Sequence, residues 1–166
     1  MKYLLILFCL VFNLAHAAPP QKIPTEMLAQ VAHLTELLRD SYAAGYPEAT
    51  MYQSLRFKNG DIALVVFTLE GFGGGNNHQQ FLAVFYPEHE QGKHHFVFAD
   101  VIQIGGKGWR SLQSLNAKAT KLKNNDIIIT LPALENGPDD APNFPSVNTQ
   151  VSLTLKDGKL SENRTK

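Results

Sequence analysis

Two stretches of this chain are apolar on both faces at once. Residues 62–69 read Ile-Ala-Leu-Val-Val-Phe-Thr-Leu and residues 81–86 read Phe-Leu-Ala-Val-Phe-Tyr. With a strand period of two, Ile62, Leu64 and Val66 point one way while Ala63, Val65, Phe67 and Leu69 point the other. Phe81, Ala83 and Phe85 oppose Leu82, Val84 and Tyr86 in the same manner. An antiparallel sheet with one wet face alternates apolar with polar residues, and these segments do not. A parallel sheet clad by helices would explain them, but no alternation of strand and helix follows in the sequence. Whatever the fold, both faces of its central strands need cover.

One cover is legible. Met27, Val31, Leu34, Leu38 and Tyr42 recur at helical spacing along a single stripe, which Leu28 and Leu37 widen. Thr25 reads as the N-cap, and Gly45 followed by Pro47 as the stop, giving a helix of about five turns. The remainder reads as strands over 52–58, 61–69, 80–86, 94–104, 112–122 (the weakest), 127–131 and 150–156. Asn59-Gly60 carries the signature of a two-residue type I′ hairpin. In the last strand Val151, Leu153 and Leu155 alternate with Ser152, Thr154 and Lys156, as on a half-exposed edge. The expected fold is α+β: an N-terminal amphipathic helix packed on a curved antiparallel β-meander of six or seven strands. The helix can cover one face only. The second must be closed by the sheet curling into a partial barrel, by a partner subunit in a homodimer, or by an apolar ligand.

Residues 1–17 read as a cleaved signal peptide. Lys2 gives a positive start, an apolar run follows, and Ala15-His16-Ala17 supplies the small-x-small cleavage pattern. The run is too short to span a bilayer, so no membrane span is expected after cleavage. Residues 18–166 then form a single globular domain. Cleavage removes Cys9, the chain's one cysteine, leaving neither a disulfide nor a thiol nucleophile. A cysteine-free exported chain suits a bacterial periplasm better than an animal secretory route, so the expected location is periplasmic or secreted. Asn163-Arg164-Thr165 matches a glycosylation sequon, which matters only in a eukaryotic route. With 15 basic against 15 acidic residues the formal charge is zero, which excludes a broad electrostatic nucleic-acid binder.

In a simple meander three unusual loops, 71–78, 105–110 and 132–148, fall at one end of the sheet, and function gravitates to such loops. The first carries Gly74, Gly75, Asn76, Asn77 and His78 after Glu70. Its successive amides could form an anion nest, but it is neither a Walker loop nor a dinucleotide fingerprint. The second sets Trp109, the chain's only tryptophan, beside Lys107 and Arg110. Such a trio is either a plug for the barrel end or a platform for a sugar or carboxylate. The third is proline-rich, carries Glu135, Asp139 and Asp140, and lacks the calcium-loop pattern. Its length marks it as functional or mobile.

Catalytic and metal signals are thin. His89, His94 and His95 surround one turn with Glu88 and Glu90 but lack a ligand spacing that would preorganise a metal. His33 lies on the helix beside the apolar stripe and reads as packing or snorkelling there. Asp100 interrupts an apolar strand on the face of Phe96, Phe98 and Ile102, and calls for a partner such as Arg56 or Lys118. There is no Gly-x-Ser-x-Gly elbow or Ser-x-x-Lys pair. No cofactor and no metal are expected. The sequence therefore favours a non-catalytic exported binding protein whose loop-rich end grips a small ligand or an envelope protein, an inhibitor or immunity-type protein being one form. The alternative is a small envelope hydrolase acting on carbohydrate or peptide through Glu70, Glu135 or Asp139 with His78.

Overall fold

The computed structural model describes residues 21–90 and 93–163. Residues 1–17, read above as a signal peptide, lie outside the described residues, as do Arg164 and Thr165 of the sequon match. One helix, α1 (Thr25–Leu38), precedes nine strands: β1 (Ala44–Leu55), β2 (Ile62–Glu70), β3 (His78–Glu90), β4 (Lys93–Gly106), β5 (Arg110–Ser111), β6 (Lys118–Lys121), β7 (Ile127–Glu135), β8 (Val147–Lys156) and β9 (Lys159–Glu162). They form one antiparallel sheet in the order β1-β2-β3-β4-β5-β7-β8-β9, with β6 also paired to β7.

The strand count exceeds the expected six or seven for two reasons. The weak segment at 112–122 keeps only β6, and a further short strand, β5, forms just before it; the two flank the two ends of β7, with Arg110 and Ser111 opposing Glu135 and Leu134, and residues 118–121 opposing 127–130. In addition β8 is not an edge. Asp157 and Gly158, with φ of 49° and 74°, make the tight turn into β9, which pairs with β8.

The second apolar face is covered from within the chain. On one side of β2 and β3, Met27, Val31 and Leu34 of α1 pack against Val65, Phe67, Leu69, Phe81 and Phe85. On the other side Ile62, Leu64, Val66, Leu82 and Val84 share a core with Ile129 and Leu131 of β7 and Val151 and Leu153 of β8. The sheet therefore bends back on itself, and β9 returns to β4, where the Leu160 amide donates to Asp100 Oδ2 at 2.8 Å. Of the three covers considered for that face, the curled sheet is the one present.

Several local expectations need correction. α1 has 14 residues and ends at Leu38, short of Tyr42. Thr25 is its first helical residue, and Pro24 stands at the N-cap position without a side-chain capping bond. The chain leaves the helix because the Asp40 carboxylate accepts the Tyr42 and Ala43 amides at 2.9 and 2.7 Å, making a turn. Gly45 and Pro47 lie inside β1 instead of stopping a helix. Pro47 falls in a bulge where the register jumps from Tyr46–Thr68 to Met51–Val66. The Asn59-Gly60 connection is wider than a I′ hairpin: Gly60 alone has positive φ (99°), and the ladder closes at Leu55–Ile62. The third loop is shorter than expected, running over 136–146. Pro132 belongs to β7, in the interval between the stretches paired to β6 and to β5, where its missing N–H is tolerated.

Asp100 does not share a face with Phe96 and Phe98. A bulge at Ala99 shifts the register from Phe85–Phe98 to Val84–Asp100, and a one-residue shift reverses which way side chains point. Phe96 stays on the helix side, while Asp100 turns to the other. Its partner is the Leu160 amide, neither Arg56 nor Lys118.

Candidate functional site

The three unusual loops are joined by their own backbones. The Lys107 amide donates to the His78 carbonyl at 3.2 Å, and Lys107 Nζ reaches Asn76 Oδ1, linking the first loop to the second. The Gly108 amide donates to the Pro142 carbonyl at 2.7 Å, and the Asn136 amide to the Trp109 carbonyl at 2.9 Å, linking the second to the third.

Two aspartates staple the outer loops. Asp40 Oδ2 accepts the Gly73 amide at 2.9 Å while Oδ1 holds Tyr42 and Ala43. The anion for any nest in the glycine loop is thus the protein's own Asp40. Asp140 Oδ2 accepts the amides of Gly137 and Ser146, each at 2.8 Å, and Oδ1 accepts the Ser146 hydroxyl at 2.9 Å. Hydrogen bonds to the ionised form, led by the Gly73 amide for Asp40 and the Gly137 amide for Asp140, hold both carboxyls below the usual value of 3.8. Asp140, read from sequence as ligand-binding, is accordingly a fixture of its loop, whereas Asp139 beside it is exposed.

Arg110 is the buried centre of this end. Its residue is 3% exposed. Nε donates to the Ile104 carbonyl at 2.6 Å and Nη1 to Glu162 Oε1 at 2.7 Å, with Glu135 Oε1 at 3.9 Å. The guanidinium carbon lies 4.4 Å from the centroid of the Trp109 ring. Nη2 is buried with no hydrogen-bond partner among the described residues. Sequence reasoning offered Arg110 as a free fork for a carboxylate, but two of its three nitrogens are already committed to the protein. Gly105 packs closely on its backbone, where a Cβ would stand 2.6 Å from the Arg110 carbonyl oxygen. Beneath it Gln80, also buried, exchanges two hydrogen bonds with the backbone of Leu112.

Beside Trp109 and Arg110 lies a cleft of about 390 Å³ walled by Glu135, Thr149, Gln150 and Glu162. A second open depression borders Trp109 on the side of Ile102 and Gln103. Among the sequence candidates only Trp109, Arg110 and Glu135 line the cleft. Glu70, Gly74, Gly75, Asn76, Asn77, His78 and Lys107 do not line it: Glu70 and His78 oppose each other on β2 and β3, and Lys107 is tied to Asn76 and His78. Glu162, Thr149 and Gln150 were not foreseen. Asp157-Gly158 is the missed signal, since a tight turn there sets Glu162 opposite Leu153 on β8. The side chains of His89 and His94 lie outside the described part, and His95 is exposed.

Comparison with family models, curated proteins and solved structures found no match to this chain. No helix among the described residues is long and apolar enough to cross a membrane.

Proposed function

We propose that this chain is an exported, non-catalytic binding protein of the cell envelope that grips a small ligand or another envelope protein at its loop-rich end, in the manner of an inhibitor or immunity-type protein. One observation carries the reading: three loops are tied to one another and to two aspartates, and the second of them borders a cleft whose buried arginine is already ion-paired. A preorganised surface of this kind lowers the ordering cost of association. Export rests on the signal pattern of residues 1–17.

A hydrolase has one feature in its favour, two carboxylates (Glu135 and Glu162) at the same cleft. Both, however, address one guanidinium, and Glu70, His78 and Asp139 do not line that cleft. Native mass spectrometry of the mature protein purified gently from its producing cell tests the proposal. A retained small molecule or protein, lost on Trp109→Ala substitution, supports binding. Release of fragments from envelope carbohydrate or peptide by the pure protein would replace it with the hydrolase.

A further inference from the structure

The cleft beside Trp109 has an unusual balance of groups. Small-molecule pockets are generally apolar with a few placed polar groups. Here one aromatic wall faces carboxylate, hydroxyl and amide side chains from Glu135, Thr149 and Gln150. An anionic ligand would meet the carboxylates of Glu135 and Glu162 around the one cation. A cationic ligand would meet Glu135 only beside the Arg110 guanidinium, 3.9 Å away, whose like charge opposes it. A neutral polyol avoids both conflicts: its hydroxyls donate to Glu135 and accept from the Thr149 hydroxyl and the Gln150 amide. Its C–H face can lie against the Trp109 indole that walls the cleft. A peptide supplies few hydroxyl donors over the same area, whereas each sugar ring combines an apolar face with a polar rim.

Resting on the binding reading above, we infer that this cleft holds a neutral saccharide, stacked on Trp109 and hydrogen-bonded to Glu135, Thr149 and Gln150. Because Trp109 is the only tryptophan, its emission reports the site directly. The mature protein is titrated with the neutral trisaccharides chitotriose, cellotriose and maltotriose, and with the anionic trigalacturonate, to about 10 mM. The expected result is a saturable shift with a neutral trisaccharide, none with trigalacturonate, and affinity about tenfold weaker in Glu135→Ala and in Thr149→Val, both keeping the wild-type melting temperature. A response to trigalacturonate equal to that of the neutral sugars overturns the inference. Should no trisaccharide act, envelope extract from the producing cell is compared before and after periodate, which cleaves vicinal diols. Loss of the response on periodate treatment supports a saccharide. An equal response to both extracts overturns the saccharide while leaving the binding reading intact, and no response to either overturns both.

Discussion

Arg110 Nη1 donates to Glu162 Oε1 at 2.7 Å and so fastens β5 to β9, two strands that share no ladder. Both ends of the contact are withdrawn from water, the Arg110 side chain being 4% exposed and that of Glu162 15%. With Leu160 bonded to Asp100, this is how the end of the sheet is held against its middle.

Removing the carboxylate should therefore be costly. Glu162→Ala leaves a buried guanidinium with Glu135 at 3.9 Å as its nearest remaining carboxylate, and is expected to lose about 3 kcal/mol of unfolding free energy in urea. Glu162→Gln keeps an acceptor and should lose less. An unchanged urea midpoint in the alanine variant would mean that the ion pair does not hold β9.

The two apolar faces of β2 predict a sharp contrast. Phe67 is fully buried beneath α1 and stacks on Phe81 with ring centroids 5.6 Å apart. Phe67→Ala should cost about 3–5 kcal/mol through lost burial and a cavity. Leu37, on the same helix but 79% exposed, should cost under about 0.5 kcal/mol when changed to Ala. Equal losses in chemical denaturation would contradict the assignment of the helix face.

These contrasts also show what the sequence could and could not disclose. Strand period and apolar content made the need for two covers legible at Ile62–Glu70, because side-chain direction follows parity alone. Parity then failed at Asp100, since the bulge at Ala99 comes from register against β3 and has no local compositional mark. Prolines misled in a consistent way. Pro47, Pro87 and Pro132 read as breaks, yet each sits where one flank of its strand is unpaired: a bulge, the β3–β4 ribbon beyond the reach of β2, and the gap between β6 and β5. At the site, Trp109 and Arg110 stood out by composition, while Glu162 and Thr149 arrive only through long-range pairing of β7, β8 and β9.

Gly105 is expected to tolerate no side chain. A Cβ there would lie 2.6 Å from the Arg110 carbonyl oxygen and 2.9 Å from Gln80 Oε1. Relief requires β4 and β5 to part, or Gln80 to release Leu112. Gly105→Ala should cost about 1–3 kcal/mol and remove the hydrogen-exchange protection of the Leu112 amide, whereas Gly60→Ala meets no atom and suffers only from its positive φ. Retained protection at Leu112 in Gly105→Ala would refute this packing.

The loop staples should make the site sensitive to acid. Backbone amides hold Asp40 and Asp140 below the ordinary value of 3.8, so in the folded state both bind a proton less readily than in the unfolded chain. Their contribution is therefore fully present above pH 3.8 and is lost as the pH falls through the depressed folded values. Asp40 is exposed and Asp140 only partly buried, so the effect belongs to loop order more than to global stability. The protection of the Gly73, Gly137 and Ser146 amides, taken relative to their intrinsic exchange at each pH, should fall in that acid window while the core amides of Val65 and Leu82 stay protected. Asp40→Asn should free Gly73 already at neutral pH without disturbing Ser146, and Asp140→Asn the reverse. Simultaneous loss of both loops in either single variant would show that they open as one unit, contrary to two separate staples.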